Sequence, residues 1–224
     1  MVAEGADGAG VQGVLRLATE RSVGVQVVPR ERLDALADHH QGIIAEAAPY
    51  QYVELEDLLA SVSGAPPERP ALLVAVDALQ DPHNFGALLR TAVAVGASGA
   101  ILPERRAVGV TPAVGRASAG AIEYLKIARV VNLPRALIAA KEVGLWVVGL
   151  DGSGRESYDK VDLSVPLVVV VGAEGAGLGR LVAETCDIVA RLPMIGPIDS
   201  LNVAVAGSIV LYEALRQRRI RPSD

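Results

Sequence analysis

Aromatic residues make up only 3% of this 224-residue chain, with a single Phe and a single Trp. The hydrophobic share is nevertheless 51%, so the core has to be aliphatic, built from Val, Leu, Ile and Ala. Such a core suits buried parallel strands covered by Ala-rich helices. Cysteine is nearly absent. Cys186 alone permits no internal disulfide and fits a reducing cytosol. With three histidines and no cysteine cluster, no metal site is expected. No apolar run reaches the roughly 18–20 residues of a membrane span. The opening "MVAEGADGAG" lacks the basic and apolar regions of a signal peptide. These absences together lead us to expect a cytoplasmic protein.

An excess of positive charge is also missing. The net charge is −5, which argues mildly against a nucleic-acid partner until its distribution is considered. Residues 1–69 hold 5 basic and 11 acidic side chains, and residues 70–224 hold 16 basic and 15 acidic. Within that second part basic residues bunch at Arg105 and Arg106, at Arg116, and in the terminal "RQRRIRPSD". Local clusters govern phosphate binding more than the total does. Arg216, Arg218, Arg219 and Arg221 taken alone fit a solvated helix end with favourable dipole placement equally well.

The Pro-, Gly- and Ser-rich "SVSGAPPERP" reads as a linker. It divides the chain into a small α/β unit over residues 1–61, a linker over 62–70 and a larger body over 71–224. In the small unit "VQGVLRLATERS", "RERLDALADHH" and "VELEDLLASV" have helical spacing, "GVQVVP" and "QGIIAEAA" read as strands, and the first ten residues are expected to be loose. The body alternates strand-like runs ("ALLVAV", "GAILP", "KIARVV", "LWVVGL", "PLVVVVG", "DIVARLP") with helical stretches. That alternation predicts an α/β fold with a parallel sheet covered on both faces. Ligands of such sheets sit at the carboxyl ends of the strands.

Three loops follow strands. "DALQDPHNFGALLRTA" offers Asn84 as a helix cap, Gly86 for close approach and Arg90 inside the helix. "GAEGAGLG" has glycines at 172, 175, 177 and 179, which match neither a dinucleotide fingerprint nor a Walker A loop, and its Glu174 would repel a phosphate. "LPMIGPIDSLNVAVAG" is mostly apolar, suits a pocket for an adenine ring, and offers Ser200 as a cap with Asn202 in the first helical turn. Singly, each loop reads equally well as a capped helix or a packing turn.

Taken together, Asp81-Pro82-x-Asn84-x-Gly86-Ala87-x-x-Arg90-Thr91-Ala92, Gly172-Ala173-Glu174-Gly175, and Leu192-Pro193-Met194 with Ser200-Leu201-Asn202-Val203 resemble the three motifs of the SpoU (TrmH-type) ribose 2′-O-methyltransferases. Order and spacing match over roughly residues 71–219. The stretch "LDALADHHQGIIAEAAPYQYVELEDLL" resembles the small substrate-binding domain of the RlmB-like branch, which modifies a guanosine of large-subunit ribosomal RNA. Members of that branch usually begin with a further helix. "MVAEGADGAG" stands in its place here, so an N-terminally incomplete domain is expected.

The resemblance implies a C-terminal trefoil knot, a homodimer and S-adenosylmethionine held in the knotted loops. It places Gly172, Leu192 and Leu201 at the cofactor, with Met194 and Ile195 nearby. The methyl donor already carries its leaving group, so the demand falls on the ribose 2′-OH, a weak acid that must lose its proton. By resemblance Arg90 is the activator. An arginine stays protonated, so positioning the substrate phosphate and stabilising the alkoxide suit it better than acting as a free base. Asn84, Glu174, Ser200 and Asn202 complete the polar set, with both asparagines positioning and Glu174 ordering the site or meeting Arg90. Arg90, Arg105, Arg106 and Arg116 are expected to contact RNA. Three rival readings remain: the same chemistry on transfer RNA or at an antibiotic-resistance site, a non-catalytic RNA-binding assembly factor, and an oxidoreductase, which the glycine spacing disfavours.

Overall fold

The Val- and Leu-rich runs form strands because β-branched and aliphatic side chains fit a pleated surface buried on both faces. In the computed structural model, which describes residues 1–173 and 175–220, the chain divides into two units, Met1–Pro49 and Tyr50–Asp224. In the first, β1 (Val2–Ala3) pairs in parallel with β2 (Val27–Val28). It also contains α1 (Ala9–Glu20) and α2 (Arg30–Asp34), and Ala3, Val28 and Leu33 form a small core. Two expectations fail here. The opening residues are not loose, since Val2 and Ala3 are buried in the ladder and the Met1 ammonium donates to the Ile44 carbonyl at 2.7 Å. "QGIIAEAA" is not a strand and contributes one antiparallel bridge, Ile43 to Val2. It offers no continuous apolar alternation for a neighbour to extend.

The second unit begins earlier than the linker suggested. Helix α3 (Leu55–Val62) buries Leu58, Leu59 and Val62 in the same core as Leu73, Ala75 and Ile101 of the sheet. Tyr50 donates to the Leu125 carbonyl at 2.8 Å, and the Val53 amide donates to the Ile127 carbonyl. The boundary expected at residue 61 therefore lies at residue 49. Residues 50–53 run along an edge strand that would otherwise expose its backbone.

After α3 the described elements are β3 (Leu72–Val76), α4 (Pro82–Ala94), β4 (Gly99–Pro103), α5 (Pro112–Ala117), β5 (Lys126–Val130), α6 (Leu133–Glu142), β6 (Trp146–Leu150), β7 (Glu156–Ser157), β8 (Leu167–Val171), α7 (Arg180–Thr185), β9 (Ile188–Arg191) and α8 (Val203–Ile220). Seven of these strands form one parallel sheet in the order β5-β4-β3-β8-β6-β9-β7. Alternate residues serve the two cores. Leu72, Val74, Val76, Val169 and Val171 pack with α4 and α8 residues such as Leu88 and Val210. Leu73, Ala75, Val168 and Val170 pack with α3, α6 and α7 residues such as Leu137 and Val182. The chain builds outward from β3 through β4 to β5, then returns to the other side of β3. The order therefore reverses between β3 and β8, where sheets of this kind open a crevice.

Candidate active site

At that reversal β8 runs into the glycine turn. Ala173 and Gly177 exchange two backbone hydrogen bonds, of 2.9 and 3.0 Å, and close a tight loop. Gly177 has φ +64° and Gly175 φ +75°, values that a β-carbon disfavours. A β-carbon on Gly172 would also overlap the Gly177 backbone. Beyond the loop, the amides of Leu178 and Gly179 are taken by two carboxylates: Asp151 accepts from Leu178 at 2.8 Å, and Asp77 accepts from Gly179 at 2.7 Å. Partial burial raises the Asp151 pKa. Hydrogen bonds from the Ser153 hydroxyl and from the Leu178 and Ser153 amides outweigh that, and hold the carboxyl below its ordinary value. Neither aspartate was singled out from sequence. The available signal was that each is the first carboxylate after an apolar strand.

The other two motif loops meet at a pair of asparagines. Asp81, not Asn84, caps α4, accepting from the amides of Asn84 at 2.9 Å and His83 at 3.3 Å, with Pro82 at the first helical position. The Asn84 side chain is therefore not needed for the cap. Asn202, not Ser200, caps α8: its Oδ1 accepts from Ala204 at 2.9 Å and Val205 at 3.2 Å. The cap fixes which way that amide faces, so Nδ2 donates to Asn84 Oδ1 at 2.7 Å. About two turns along, the Ser208 hydroxyl donates to Thr91 Oγ1 at 2.8 Å. Ser200 is exposed in the preceding loop, 3.4 Å from Asp199 Oδ1. Close packing underlies this seam, since Gly207 of α8 leaves no room for a β-carbon beside Leu88 and Val171.

Arg90 is exposed on α4, and its side chain makes no hydrogen bond or ion pair among the described residues. Arg105 and Arg106 are exposed just after β4, at the same end of the sheet as the glycine loop, and Arg116 is exposed on α5. Two of the C-terminal arginines, Arg216 and Arg218, are engaged within the chain. Arg218 donates to the carbonyls of Leu163, Pro70, Ala71 and Val165 at 2.7–3.2 Å, and burial pushes its pKa down to about 10, so it stays charged at neutrality. Arg216 pairs with Glu213. Glu174 and Arg221 lie outside the described residues.

Leu192, Met194 and Leu201 are half-buried in the loop between β9 and α8, Gly172 is buried, and Ile195 is 99% exposed. Among the described residues, the backbone amides and carbonyls of 194–201 make no hydrogen bond. The loop thus offers apolar side chains with available backbone donors and acceptors, a set that fits an adenosine and a short amino-acid chain and does not call for a phosphate. No cluster of metal ligands occurs among the described residues.

Residues 71–212 match the SpoU rRNA Methylase family, and residues 1–53 match RNA 2′-O ribose methyltransferase substrate binding. The chain belongs to the SpoU family of S-adenosylmethionine-dependent RNA methyltransferases. YacO of Bacillus subtilis, assigned to the TrmH family of tRNA/rRNA methyltransferases, is 48% identical over 208 residues, covering 92% of this chain and 83% of YacO. An S-adenosylmethionine-bound rRNA methyltransferase from Sinorhizobium meliloti is similar with TM-score 0.74 and 29% identity, over 95% of this chain and 78% of that one. The SpoU methyltransferase AviRb from Streptomyces viridochromogenes gives TM-score 0.65 and 32% identity, over 72% of this chain and 63% of its own length.

Proposed function

We propose that this protein transfers a methyl group from S-adenosylmethionine to the ribose 2′-oxygen of a guanosine in large-subunit ribosomal RNA. The observation that carries the reading is the Asn84–Asn202 hydrogen bond, which joins the first and third motif loops at the sheet end bearing the glycine turn. When bound, the cofactor supplies an electrophilic methyl on a sulfonium. Gly172, Leu192, Met194, Ile195 and Leu201 would hold it. Asn84 and Asn202 would fix the ribose side of the site, with Ser200 and Glu174 completing the polar set. The side chain of Arg90, solvent-facing, would position the substrate phosphate and stabilise the developing alkoxide.

The knotted path is part of this proposal. It is supported by α8 returning from β9, beyond β6, to pack on α4 and β8. A homodimer and a cytoplasmic location belong to it as well. Among the described residues no helix is long and apolar enough to cross a membrane. The ribosomal choice is supported by the match of residues 71–212 to the SpoU rRNA Methylase family and by the Sinorhizobium meliloti rRNA methyltransferase, and transfer RNA is the second reading because the name of YacO covers both RNAs.

The test is a map of 2′-O-methylation in ribosomal and transfer RNA from cells with and without the gene, complemented by the parent or by Arg90→Ala. One ribosomal guanosine should lose its mark without the gene and regain it only with the parent. In vitro, Arg90→Ala should lose at least ~10²-fold in turnover, the scale of a positioned catalytic group, with cofactor affinity within a few-fold. A lost mark in transfer RNA would move the substrate, and normal turnover of the variant would remove Arg90 from the mechanism.

A further inference from the structure

The glycine turn has to be fixed enough to present its backbone to a nucleoside. Loops with this many glycines lose much conformational freedom on ordering, so something has to hold the turn. β8 fixes its entry. At its exit the consecutive amides of Leu178 and Gly179 are each taken by a carboxylate, and the two carboxylates arrive from opposite sides. Asp77 follows β3, the neighbour of β8 on one side, and Asp151 follows β6, its neighbour on the other. Both are anchored by their own backbone: the Asp77 amide donates to the Val171 carbonyl at 2.8 Å, and that of Asp151 to the Ala190 carbonyl at 3.0 Å. The glycines are fitted to the carboxylates. A β-carbon on Gly177 would collide with Asp151 Oδ2, and one on Gly179 would lie 3.0 Å from Asp77 Oδ2.

We propose that Asp77 and Asp151 are positioning residues, a pair of carboxylates that clamp the exit of the glycine turn from the two flanking strands and so hold the backbone at Gly172, Ala173 and Gly177 in the shape that receives S-adenosylmethionine. The proposal rests on the cofactor reading above. Neither carboxylate touches the reacting atoms. The pair acts by lowering the ordering cost of binding, a preorganisation effect, and its loss therefore falls on cofactor affinity before it falls on chemistry.

The experiment compares the full-length parent with Asp77→Ala, Asp151→Ala and the corresponding Asn variants, which keep an acceptor oxygen. Calorimetry with S-adenosylhomocysteine should show each Ala variant weakened about 10-fold, the size of a hydrogen bond to a charged acceptor, and each Asn variant recovering most of that loss. KM for S-adenosylmethionine should rise by a similar factor while kcat changes less than about 3-fold. Without ligand, amide exchange at Leu178 and Gly179 should quicken at least 10-fold in the Ala variants, while the β3–β8 ladder keeps its protection. Unchanged affinity with unchanged exchange overturns the clamp, as does a fall in kcat at constant KM, or Asn variants as impaired as Ala. If an Ala variant does not fold, the Asn variant and its exchange at the same two amides decide. A parent that binds no S-adenosylhomocysteine would sink the cofactor reading, a result distinct from any of these.

Discussion

Asn202 has two duties that a single substitution can separate. Its Oδ1 caps α8 and its Nδ2 reaches Asn84. Asn202→Asp keeps an acceptor for the helix amides and adds a negative charge at a helix start, where the dipole favours it. It replaces the amide donor by an oxygen, however, and sets two acceptors against each other at Asn84. Asn202→Ala removes both duties. The Ala variant should lose roughly 0.5–2 kcal/mol of stability, the usual range for a lost cap, while the Asp variant stays nearer the parent in thermal unfolding. Both should lose methyl transfer. An active Asp variant would show that the Asn84 contact is incidental. The buried-side role of Arg218 makes a related point: four carbonyls surround its guanidinium, and they explain why a cation near the chain end need not face a phosphate.

At the scale of elements, Gly86 decides how closely α4 and α5 approach. A β-carbon there would lie 2.5 Å from Ala117 Cβ and 2.9 Å from the Ser118 amide nitrogen. Backbone cannot move aside as a side-chain tip can. Gly86→Ala should destabilise the body by about 1–3 kcal/mol, the range for an overpacked core, although alanine in an open helix is normally the better residue. A stabilised variant in denaturant unfolding would refute the close packing. The central strands β3 and β8 were legible because each is a continuous aliphatic run between turn residues, and a strand buried on both faces has no other pattern to show; β4, β5, β6 and β9 were legible as shorter apolar runs in regular alternation with helices, although Lys126, Arg129 and Arg191 interrupt two of them. The caps were misplaced by two or three residues, since Asp81, Asn84, Ser200 and Asn202 are all capable of capping and only the fold chooses among them. Helix α3 was assigned to the wrong unit for a similar reason. Its apolar face is plain in sequence, but what that face packs against is not. Asp77 and Asp151 carry only the weak signal of a first carboxylate after an apolar strand, because their partners are backbone amides, which no residue type marks.

At the scale of the whole molecule, α8 divides its apolar residues between two tasks. Val210, Leu211 and Ala214 are spent in the chain's own core. Val205, Ile209 and Tyr212 remain, and with Asn84, Ala87 and Thr91 they line an open groove of about 470 Å³. Val205 is 48% and Tyr212 54% exposed. A second copy covering this stripe would give the homodimer, and light scattering at micromolar concentration should then report twice the 23.2 kDa chain mass. Tyr212→Asp should shift the protein toward that single-chain mass. A parent already monomeric would count against the assembly.

RNA capture is expected to divide between the two units, whose boundary lies at residue 49. Residues 1–69 carry an excess of acidic side chains, so the main phosphate contacts are expected on the body, around Arg105, Arg106 and Arg116. The first unit would then select the RNA by shape or ribosomal context. Removing residues 1–69 would take α3 away, and with it Leu58, Leu59 and Val62 of the body's core, so a loss of function in that deletion would report unfolding. Removing residues 1–49 follows the observed boundary. With the body intact, that deletion should keep cofactor affinity and most of the salt dependence of RNA binding while relaxing which nucleotide is modified. Arg105→Ala with Arg106→Ala should do the reverse. Each lost phosphate contact lowers the slope of log affinity against log salt by roughly 0.7–0.9, and target choice should be unchanged. If the double variant keeps the parent slope and the 1–49 deletion flattens it, the phosphate contacts lie in the first unit despite its negative charge, and the division of labour is the opposite of the one argued.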